Sequence, residues 1–238
     1  MTRADPDPAS PDPVGPDPAD PDPADPGGPA AFSEVLASRR MCRDFRPEPV
    51  ADDVLDRVLA AAFRAPAAGN TDALDLVVLT GADTARHWDV TLPADRRPGF
   101  RWPGLLTAPV LVEVIVDPAA YVERYSLPDK AQSGLGDGAE AWPVPFWFVD
   151  GGAAVMAVLL AAESEGLGAL LFGVFGHEEA VLRALGVPAG RRVVATVALG
   201  HSATGGRRPS LSARRGRADP GRRIHRGRWA GQGPVPSG

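Results

Sequence analysis

The chain has few of the residues from which disulfides or metal centres are built. Among its 238 residues there is one cysteine, Cys42, so neither an internal disulfide nor a cysteine-rich zinc site can form. The segment "HEEAV" at His177 carries Val181 where the zinc motif H-E-x-x-H requires a second histidine. The four histidines are scattered without metal or triad spacing, and we expect isolated histidines of this kind at the surface or at helix caps: His87, His177, His201 and His225. The sequence thus predicts no metal site.

Long apolar runs are also missing. The longest uninterrupted run, Ala153 to Ala162, is far shorter than the roughly 20 residues that a membrane-spanning helix needs. The first residues lack the basic and apolar regions of a signal peptide. We therefore expect a cytoplasmic protein that does not contact a membrane.

Lysine is nearly absent, and charge is unevenly distributed. Lys130 is the single lysine among 25 basic residues. Residues 1–30 carry seven Asp and one Arg, whereas Arg207 to Arg228 carry nine Arg and one Asp. The basic stretch suggests nucleic-acid binding as one alternative function. The acidic remainder would repel phosphate backbones and no nucleic-acid reader motif is present, so the sequence disfavours this alternative.

The composition divides the chain into three parts. Residues 1–30 form a Pro-Asp repeat, and proline together with mutually repelling aspartates predicts a disordered tail. Residues 31–229 contain the patterned sequence and are predicted to form one domain, followed by a flexible C-terminus over residues 230–238. With 44% hydrophobic residues the chain can bury a substantial core.

Helical and strand-like patterns alternate within residues 31–229. A first helix is predicted from an N-cap at Ser33 to Ser38, and a helix that is apolar almost all round is predicted to lie buried within residues 149–166. Further helices are predicted in "DDVLDRVLAAAFRA" and "HEEAVLRALGVPAG", and strands in "LDLVVLTG", "APVLVEVIVD", "ALLFGVF" and "RRVVATVALG". This interleaving favours a three-layer α/β or α+β domain. Residues 123–147 remain irregular and rich in Gly, Pro and aromatics, which is typical of a lid or binding loop.

Three arginines crowd the stretch "ASRRMCRDF". On a helix or its end, Arg39 and Arg43 would be i and i+4 and would point the same way, with Arg40 close by. One interpretation is a solvated surface. The other is an anion site, because a compact anion such as phosphate would relieve the repulsion through charge-assisted hydrogen bonds. A second cluster, "SARRGR" at residues 212–217, supports a split phosphate site.

At these residues the chain resembles the nitroreductase family. The resemblance is carried by "SRRMCRDFRPEPVADDVLDRVLAAAFRAPAAGN", by "GLGALLFGVFGHEEAVLRALGVPAGRRVVATVALGH" and by the basic "RRGRADPGRRIHRGRW", in the family's order and over most of residues 32–229. It implies an α+β fold with a central mixed β-sheet flanked by helices, assembled as an intertwined homodimer with FMN at the subunit interface. It also implies NAD(P)H as co-substrate.

The resemblance further implies roles for individual residues. The FMN phosphate and ribityl chain would be held by Arg39, Arg40, Arg43, Arg215 and Arg217. Asn70 would contact the polar edge of the isoalloxazine ring, and the backbone N–H groups of Phe175 and Gly176 would face flavin N5. The aromatic character of the loop "AWPVPFWFVD", and not the resemblance, suggests that Trp142, Phe146 and Trp147 contact a planar substrate or the partner's flavin, or instead fill the dimer interface.

The chain departs from the family pattern at two places. Met41, which belongs to the predicted cofactor-binding set, stands where the family has a serine after the arginine pair, so this set lacks a hydroxyl. Asp72, in a stretch where the family often has Gln-Pro-Trp, is expected to face solvent or an atypical substrate.

The function implied is an FMN-dependent oxidoreductase that passes hydride from NAD(P)H through flavin N5 to an electron-poor acceptor. A nitroaromatic, a quinone, a free flavin and a specialised metabolite all remain open as the acceptor. Two alternatives also remain open: an oxidase that works in the opposite sense, and a protein that sequesters FMN without turnover. A flavin supplies the redox chemistry, which agrees with the absence of an obvious acid, base or nucleophile in the sequence.

Overall fold

The computed structural model describes residues 29–204, 206 and 218–229, and its contacts divide the chain into two units with the boundary between Ala37 and Ser38. The described residues of the first unit, 29–37, belong to helix α1 (Pro29–Ser38), in which Phe32 and Leu36 are exposed. The predicted N-cap at Ser33 is wrong, because the helix already begins at Pro29, whereas the predicted end is confirmed. The Pro-Asp repeat lies outside the described residues.

The second unit is built on a four-stranded sheet in the order β1-β2-β4-β3: β1 (Leu74–Thr80), β2 (Val110–Val116), β3 (Gly168–Phe172) and β4 (Arg192–Gly200). All three strand pairs are antiparallel. Parallel pairing occurs at the isolated bridge between Met41 and Ala169. The β-branched residues that make up most of β2 suit a strand buried on both faces, and all seven of its residues are buried.

Helices cover both faces of this sheet. On one face lie α2 (Asp52–Ala60) and α5 (Phe146–Ser164), which pack on the even-numbered residues Val110, Val112 and Val114 of β2. On the other face lie α3 (Ala85–Thr91) and α6 (Glu178–Ala184), which pack near the odd-numbered Leu111 and Ile115. Because side chains alternate along a strand, each strand serves two separate cores. The predicted three-layer α+β arrangement is confirmed.

Helix α5 is long and apolar enough, by length and composition alone, to cross a membrane. Seven of its residues are buried against the sheet and α2, including Gly151, Ala154 and Val158. Its apolar surface is not wholly buried as the sequence predicted, because Phe146, Val149 and Met156 remain partly exposed. The helix therefore packs as a core helix with a second apolar face outside the core.

Residues 123–147 are less irregular than the sequence suggested. Helix α4 (Pro118–Ser126) begins at a cap in which Asp117 accepts a hydrogen bond from the Ala119 amide. Three single 3₁₀ turns follow, at Ala131–Ser133, Leu135–Asp137 and Ala139–Ala141, before α5 begins. Whether this segment closes over a ligand stays a prediction.

Candidate functional site

The arginine segment is extended and not helical. Helix α1 ends at Ser38; Met41 pairs with Ala169 of β3, and the Cys42 amide donates to the Ala169 carbonyl at 2.8 Å. The predicted helical i,i+4 relation of Arg39 to Arg43 is therefore wrong. In an extended segment, helical spacing does not decide which way the three arginine side chains point.

The guanidinium of Arg39 contains a buried hydrogen-bond donor. Its Nη1 atom is buried and has no hydrogen-bond partner among the residues that the structure describes. The guanidinium of Arg40 is exposed and donates from Nη1 to the Arg39 carbonyl at 2.9 Å. A buried donor without an acceptor is costly, so Arg39 is suited to bind an anion supplied from outside this part of the chain.

Arg43 lies at a cleft on the α3 and α6 face of the sheet. Its guanidinium carbon is 5.3 Å from the centre of the Trp102 ring, within cation–π range. The cleft has a volume of about 480 Å³ and is called the first cleft below. Most of the residues that line it are aromatic or apolar, and Arg43 and two histidines also line it. The lining residues include His87, Trp88, Phe100, Trp102, Phe172 and His177.

Phe175 and Gly176 line the same cleft. They stand in a 3₁₀ turn, Phe175–His177, between β3 and α6. Phe175 has a φ of 42° and its side chain is 89% exposed, and both features are unusual for a large apolar residue. A Cβ added at Gly176 would meet nothing within 4 Å, so no packing among the described residues requires glycine there. Strain and open space at one turn are typical of a backbone that faces a ligand.

Met41 contributes apolar packing, not a polar ligand. Its side chain is partly buried against the two main hydrophobic clusters, on which α2 and α3 also pack. Whether Met41 contacts a cofactor stays a prediction.

Asn70 lies at a different cleft. It ends the 3₁₀ turn Ala68–Asn70, where Gly69 and Asn70 both have positive φ angles, 65° and 52°. This second cleft, of about 420 Å³, is lined also by Val116 and Asp150 on the α5 face of the sheet. The structure thus does not bring Asn70 together with Arg43 and Phe175 within one chain.

The turn before Asn70 is held by Asp150. Its Oδ2 accepts from the Ala68 amide at 2.7 Å and from the Tyr121 hydroxyl at 2.8 Å. Burial raises the pKa of Tyr121 above its usual value, and the neighbouring Asp150 carboxylate raises this pKa further. The hydroxyl therefore stays protonated and donates to Asp150. Asp72, which also lines this cleft, is exposed as expected.

The three aromatic residues predicted to contact a substrate or flavin differ in how exposed they are. Trp142 and Trp147 are each 7% exposed and pack with Tyr121 in a hydrophobic cluster. Within one chain they are core residues, and among the described residues they line neither the first nor the second cleft. Phe146 is 39% exposed at the start of α5, so its substrate role stays a prediction.

The sequence did not predict a buried polar pair beneath the first cleft. Nδ1 of His87 lies 2.5 Å from Oε1 of Glu113, and the Thr196 hydroxyl donates to Oε2 of Glu113 at 2.8 Å. His87 is 1% exposed and Glu113 is fully buried, so the expectation that His87 is a surface or cap residue is wrong. The signal in the sequence was Glu113 itself, a single acid inside the apolar run "VLVEVIV".

Arg215 and Arg217, predicted to complete the phosphate site, lie outside the described residues.

Comparisons with known proteins agree with this architecture. A family model, "Nitroreductase family", matches residues 36–201. A protein of Archaeoglobus fulgidus, provisionally named NADH dehydrogenase/NAD(P)H nitroreductase, is 25% identical over 71% of this chain and 83% of its own length.

Two solved structures share the fold. One, provisionally named a nitroreductase and solved with FMN, comes from Desulfovibrio desulfuricans; it is 24% identical, with a TM-score of 0.54 over 76% of this chain and 92% of that one. The other is an FMN-dependent nitroreductase of Clostridium difficile, 19% identical, with a TM-score of 0.58 over 83% and 99% of the two chains. Since the family model covers most of the chain, and these structures share its fold, the protein belongs to the nitroreductase family.

Proposed function

We propose that this protein is an FMN-dependent oxidoreductase that transfers hydride from NAD(P)H to an electron-poor acceptor. The support comes from the family match and from relatives whose names include FMN and NAD(P)H. The observation that carries the proposal is the buried, unpartnered Nη1 of Arg39, in the extended segment that leads to Arg43 at the first cleft. A phosphate group supplies the acceptor that this donor lacks among the described residues.

The first cleft, together with the arginine segment that leads to it, fits a planar cofactor with an anionic tail. Arg39 would bind the phosphate, and Arg40 and the C-terminal Arg215 and Arg217 would add positive charge around it. Arg43, already held against the Trp102 ring, would face the polar side of the isoalloxazine ring and favour negative charge there.

The turn at Phe175 and Gly176 would bring backbone N–H groups close to the ring. Because no side chain stands at Gly176, a ring can approach the backbone to hydrogen-bonding distance. FMN, when bound, supplies the two-electron chemistry that passes hydride from NAD(P)H to the acceptor. The chain's own part is to bind the ring, orient it and stabilise its charge.

The proposed site needs a second copy of the chain. Asn70 and Phe175 line clefts on opposite faces of one sheet, so a flavin bound by both residues would take Asn70 from a partner subunit. Apolar side chains on the protein surface support an interface between copies: Phe63, Phe146, Val149 and Met156 are 36–58% exposed. We therefore propose a homodimer with two shared sites, formed by a domain of residues 31–229 in the cytoplasm.

Flavin reconstitution tests the activity. The purified protein is mixed with FMN, freed of excess, and titrated anaerobically with NADH and NADPH while the flavin absorbance is recorded. We expect retained flavin bands that bleach with at least one nicotinamide. Retained flavin that neither nicotinamide bleaches would favour the oxidase or sequestration alternatives, and no retained flavin would refute FMN dependence.

Mixed dimers test the shared site. Arg39→Met and Asn70→Ala chains, each bearing a different affinity tag, are produced separately and together. A site that takes Arg39 from one chain and Asn70 from the other leaves one intact site in each mixed dimer. We expect tandem-purified mixed dimers to retain about half of the wild-type flavin while each homodimer retains little. Equal flavin loss in mixed dimers and in both homodimers would contradict sharing.

A further inference from the structure

The turn Ala68–Asn70 places Asn70 at the second cleft in a backbone conformation that needs support from its surroundings. Gly69 and Asn70 both have positive φ angles, 65° and 52°. Glycine adopts such angles freely, whereas asparagine adopts them at a cost that the surrounding structure must offset. Asn70 is exposed, and its side-chain amide makes no hydrogen bond within the described part of the chain. The amide is therefore available to a ligand.

Two helices hold the backbone of this turn. From α5, Oδ2 of Asp150 accepts from the Ala68 amide at 2.7 Å. From α4, Nε of Arg124 donates to the Gly69 carbonyl at 2.8 Å. The Tyr125 ring packs on the same glycine, where an added Cβ would lie 2.9 Å from a ring carbon. Asp150 and Arg124 thus bind backbone groups at both ends of the strained stretch.

The side chains that hold the turn are themselves held. Nη1 and Nη2 of Arg124 donate to the two carboxylate oxygens of Asp129 at 2.8 Å and 2.7 Å. The buried Tyr121 hydroxyl donates to Oδ2 of Asp150 at 2.8 Å. Because these contacts fix both side chains, little further conformational entropy is lost when they bind the turn.

We propose that Arg124 and Asp150 are positioning residues, which hold the turn so that the side-chain amide of Asn70 is presented to the flavin. The inference rests on the proposed function, because it takes FMN as the ligand of Asn70. In this role both residues act through Asn70 and not on the flavin itself. A turn that is ordered before the cofactor arrives binds it more tightly, since no free energy is spent on ordering the turn.

A double-mutant cycle separates positioning from other effects on the cofactor. Arg124→Met keeps the apolar stem and removes the donor, Asp150→Ala removes the acceptor, and each is made alone and together with Asn70→Ala. Fluorescence titration with FMN gives the dissociation constants. We expect each single variant to raise the dissociation constant about ten-fold. In the Asn70→Ala background, the second substitution should raise it by less than about two-fold.

Two further variants serve as controls. Asp150→Asn keeps a side-chain oxygen that can accept from the Ala68 amide, so it should restore most of the FMN affinity that Asp150→Ala loses. Arg57→Met removes an equally well paired arginine, whose guanidinium donates to Glu165 through Nε and Nη2 and to Asp53 through Nη1. None of these partners is in the turn, so FMN binding should stay within about two-fold of wild type.

Amide hydrogen exchange in the apoprotein tests the turn without any cofactor. The Ala68 amide is bonded to Asp150, and the Thr71 amide donates to the Ala68 carbonyl at 3.3 Å. Arg124→Met and Asp150→Ala should speed exchange at both amides about ten-fold, while the buried Val112 in β2 should exchange as in wild type. If Asp150→Ala does not fold, Arg124→Met, whose side chain is 25% exposed, distinguishes the same outcomes.

Three results would overturn the proposal. Unchanged exchange in the turn would show that Arg124 and Asp150 do not hold it. Unchanged FMN affinity in Arg124→Met or in Asn70→Ala would show that the position of Asn70 does not matter for the cofactor. Equal weakening in the wild-type and Asn70→Ala backgrounds would show that both residues act by another route.

Failure of the proposed function gives a different result. A wild-type protein that binds no FMN refutes FMN dependence before any variant is compared. It also refutes the presentation of Asn70 to a flavin, even where hydrogen exchange shows that Arg124 and Asp150 hold the turn.

Discussion

Replacement of Arg39 by methionine should weaken FMN binding without weakening the fold. In the protein without cofactor, the Nη1 donor of Arg39 is buried and unsatisfied in the described part of the chain, which costs roughly 1–3 kcal/mol. Methionine fills similar apolar space without that donor. We therefore expect the free energy of unfolding of the apoprotein to stay equal or to rise by about 1–2 kcal/mol in Arg39→Met.

The same change should have the opposite effect on the cofactor. A hydrogen bond from a guanidinium to a phosphate contributes about 1.5–3 kcal/mol. Loss of this bond should therefore raise the dissociation constant for FMN roughly 10- to 150-fold. Urea unfolding of the apoprotein and fluorescence titration with FMN measure the two quantities separately. Replacement of an arginine whose role is to stabilise the fold would lower the unfolding free energy, so unchanged stability together with weaker FMN binding points to a cofactor-binding role.

Arg183→Met provides the charge-matched control. Arg183 lies on α6 with a side chain that is 71% exposed and paired with Glu179. Arg183→Met removes the same charge as Arg39→Met, and neither the unfolding free energy nor the affinity for FMN should change by more than experimental error. The reasoning is refuted if Arg39→Met lowers the unfolding free energy by more than about 1 kcal/mol, which would indicate a structural partner, or if FMN binding is unchanged.

Three further predictions concern the scaffold. The Arg192 guanidinium holds the pKa of Glu178 below its usual 4.5. The ion pair therefore stabilises the fold above pH 4.5, and this stabilisation is lost as the pH falls below 4.5. Glu178→Gln should lower the melting temperature at pH 7 and make the melting temperature depend less on pH below 4.5. A Cβ at Gly151 would meet a valine methyl of β4 at 2.5 Å, so Gly151→Val should cost about 1–3 kcal/mol in urea unfolding, and a cost near zero would mean that α5 can shift. Tyr121→Phe should cost about 1 kcal/mol at pH 7, because the bond to Asp150 is lost. Since the folded pKa of Tyr121 is raised, its stabilising contribution is fully present below the ordinary value of 10.0 and is lost progressively as the pH rises above that value, so the difference between wild type and variant should begin to shrink there.

Local patterns were sufficient for most of the scaffold. The strands β1, β2 and β4 and the helices α2 and α6 lie where apolar periodicity placed them, because a segment that must bury one or both faces repeats its apolar residues at a fixed period. The arginines and the "FGVFGHEEAV" segment were enough to indicate the family. Helices α3 and α4 were not predicted, since both are short and their formation depends on packing.

The candidate site required the tertiary structure. Sequence spacing placed Arg39 and Arg43 on one side of a helix, whereas pairing of Met41 with Ala169 made the segment extended. The pairing of His87 with Glu113 joins residues 26 positions apart, and no periodic pattern encodes which helix covers a given strand face.

The sequence by itself determined the layers, the strand patterns and the family, because these depend on side-chain chemistry within a few residues. Only the tertiary structure showed that Asn70 and Arg43 occupy opposite faces of one sheet, and that Arg39, His87 and Trp88 bury nitrogen atoms without hydrogen-bond partners among the described residues. Both facts depend on contacts between distant segments. Such contacts form because burial and hydrogen bonding in the folded chain stabilise them. Which distant residues meet cannot be derived from local sequence patterns.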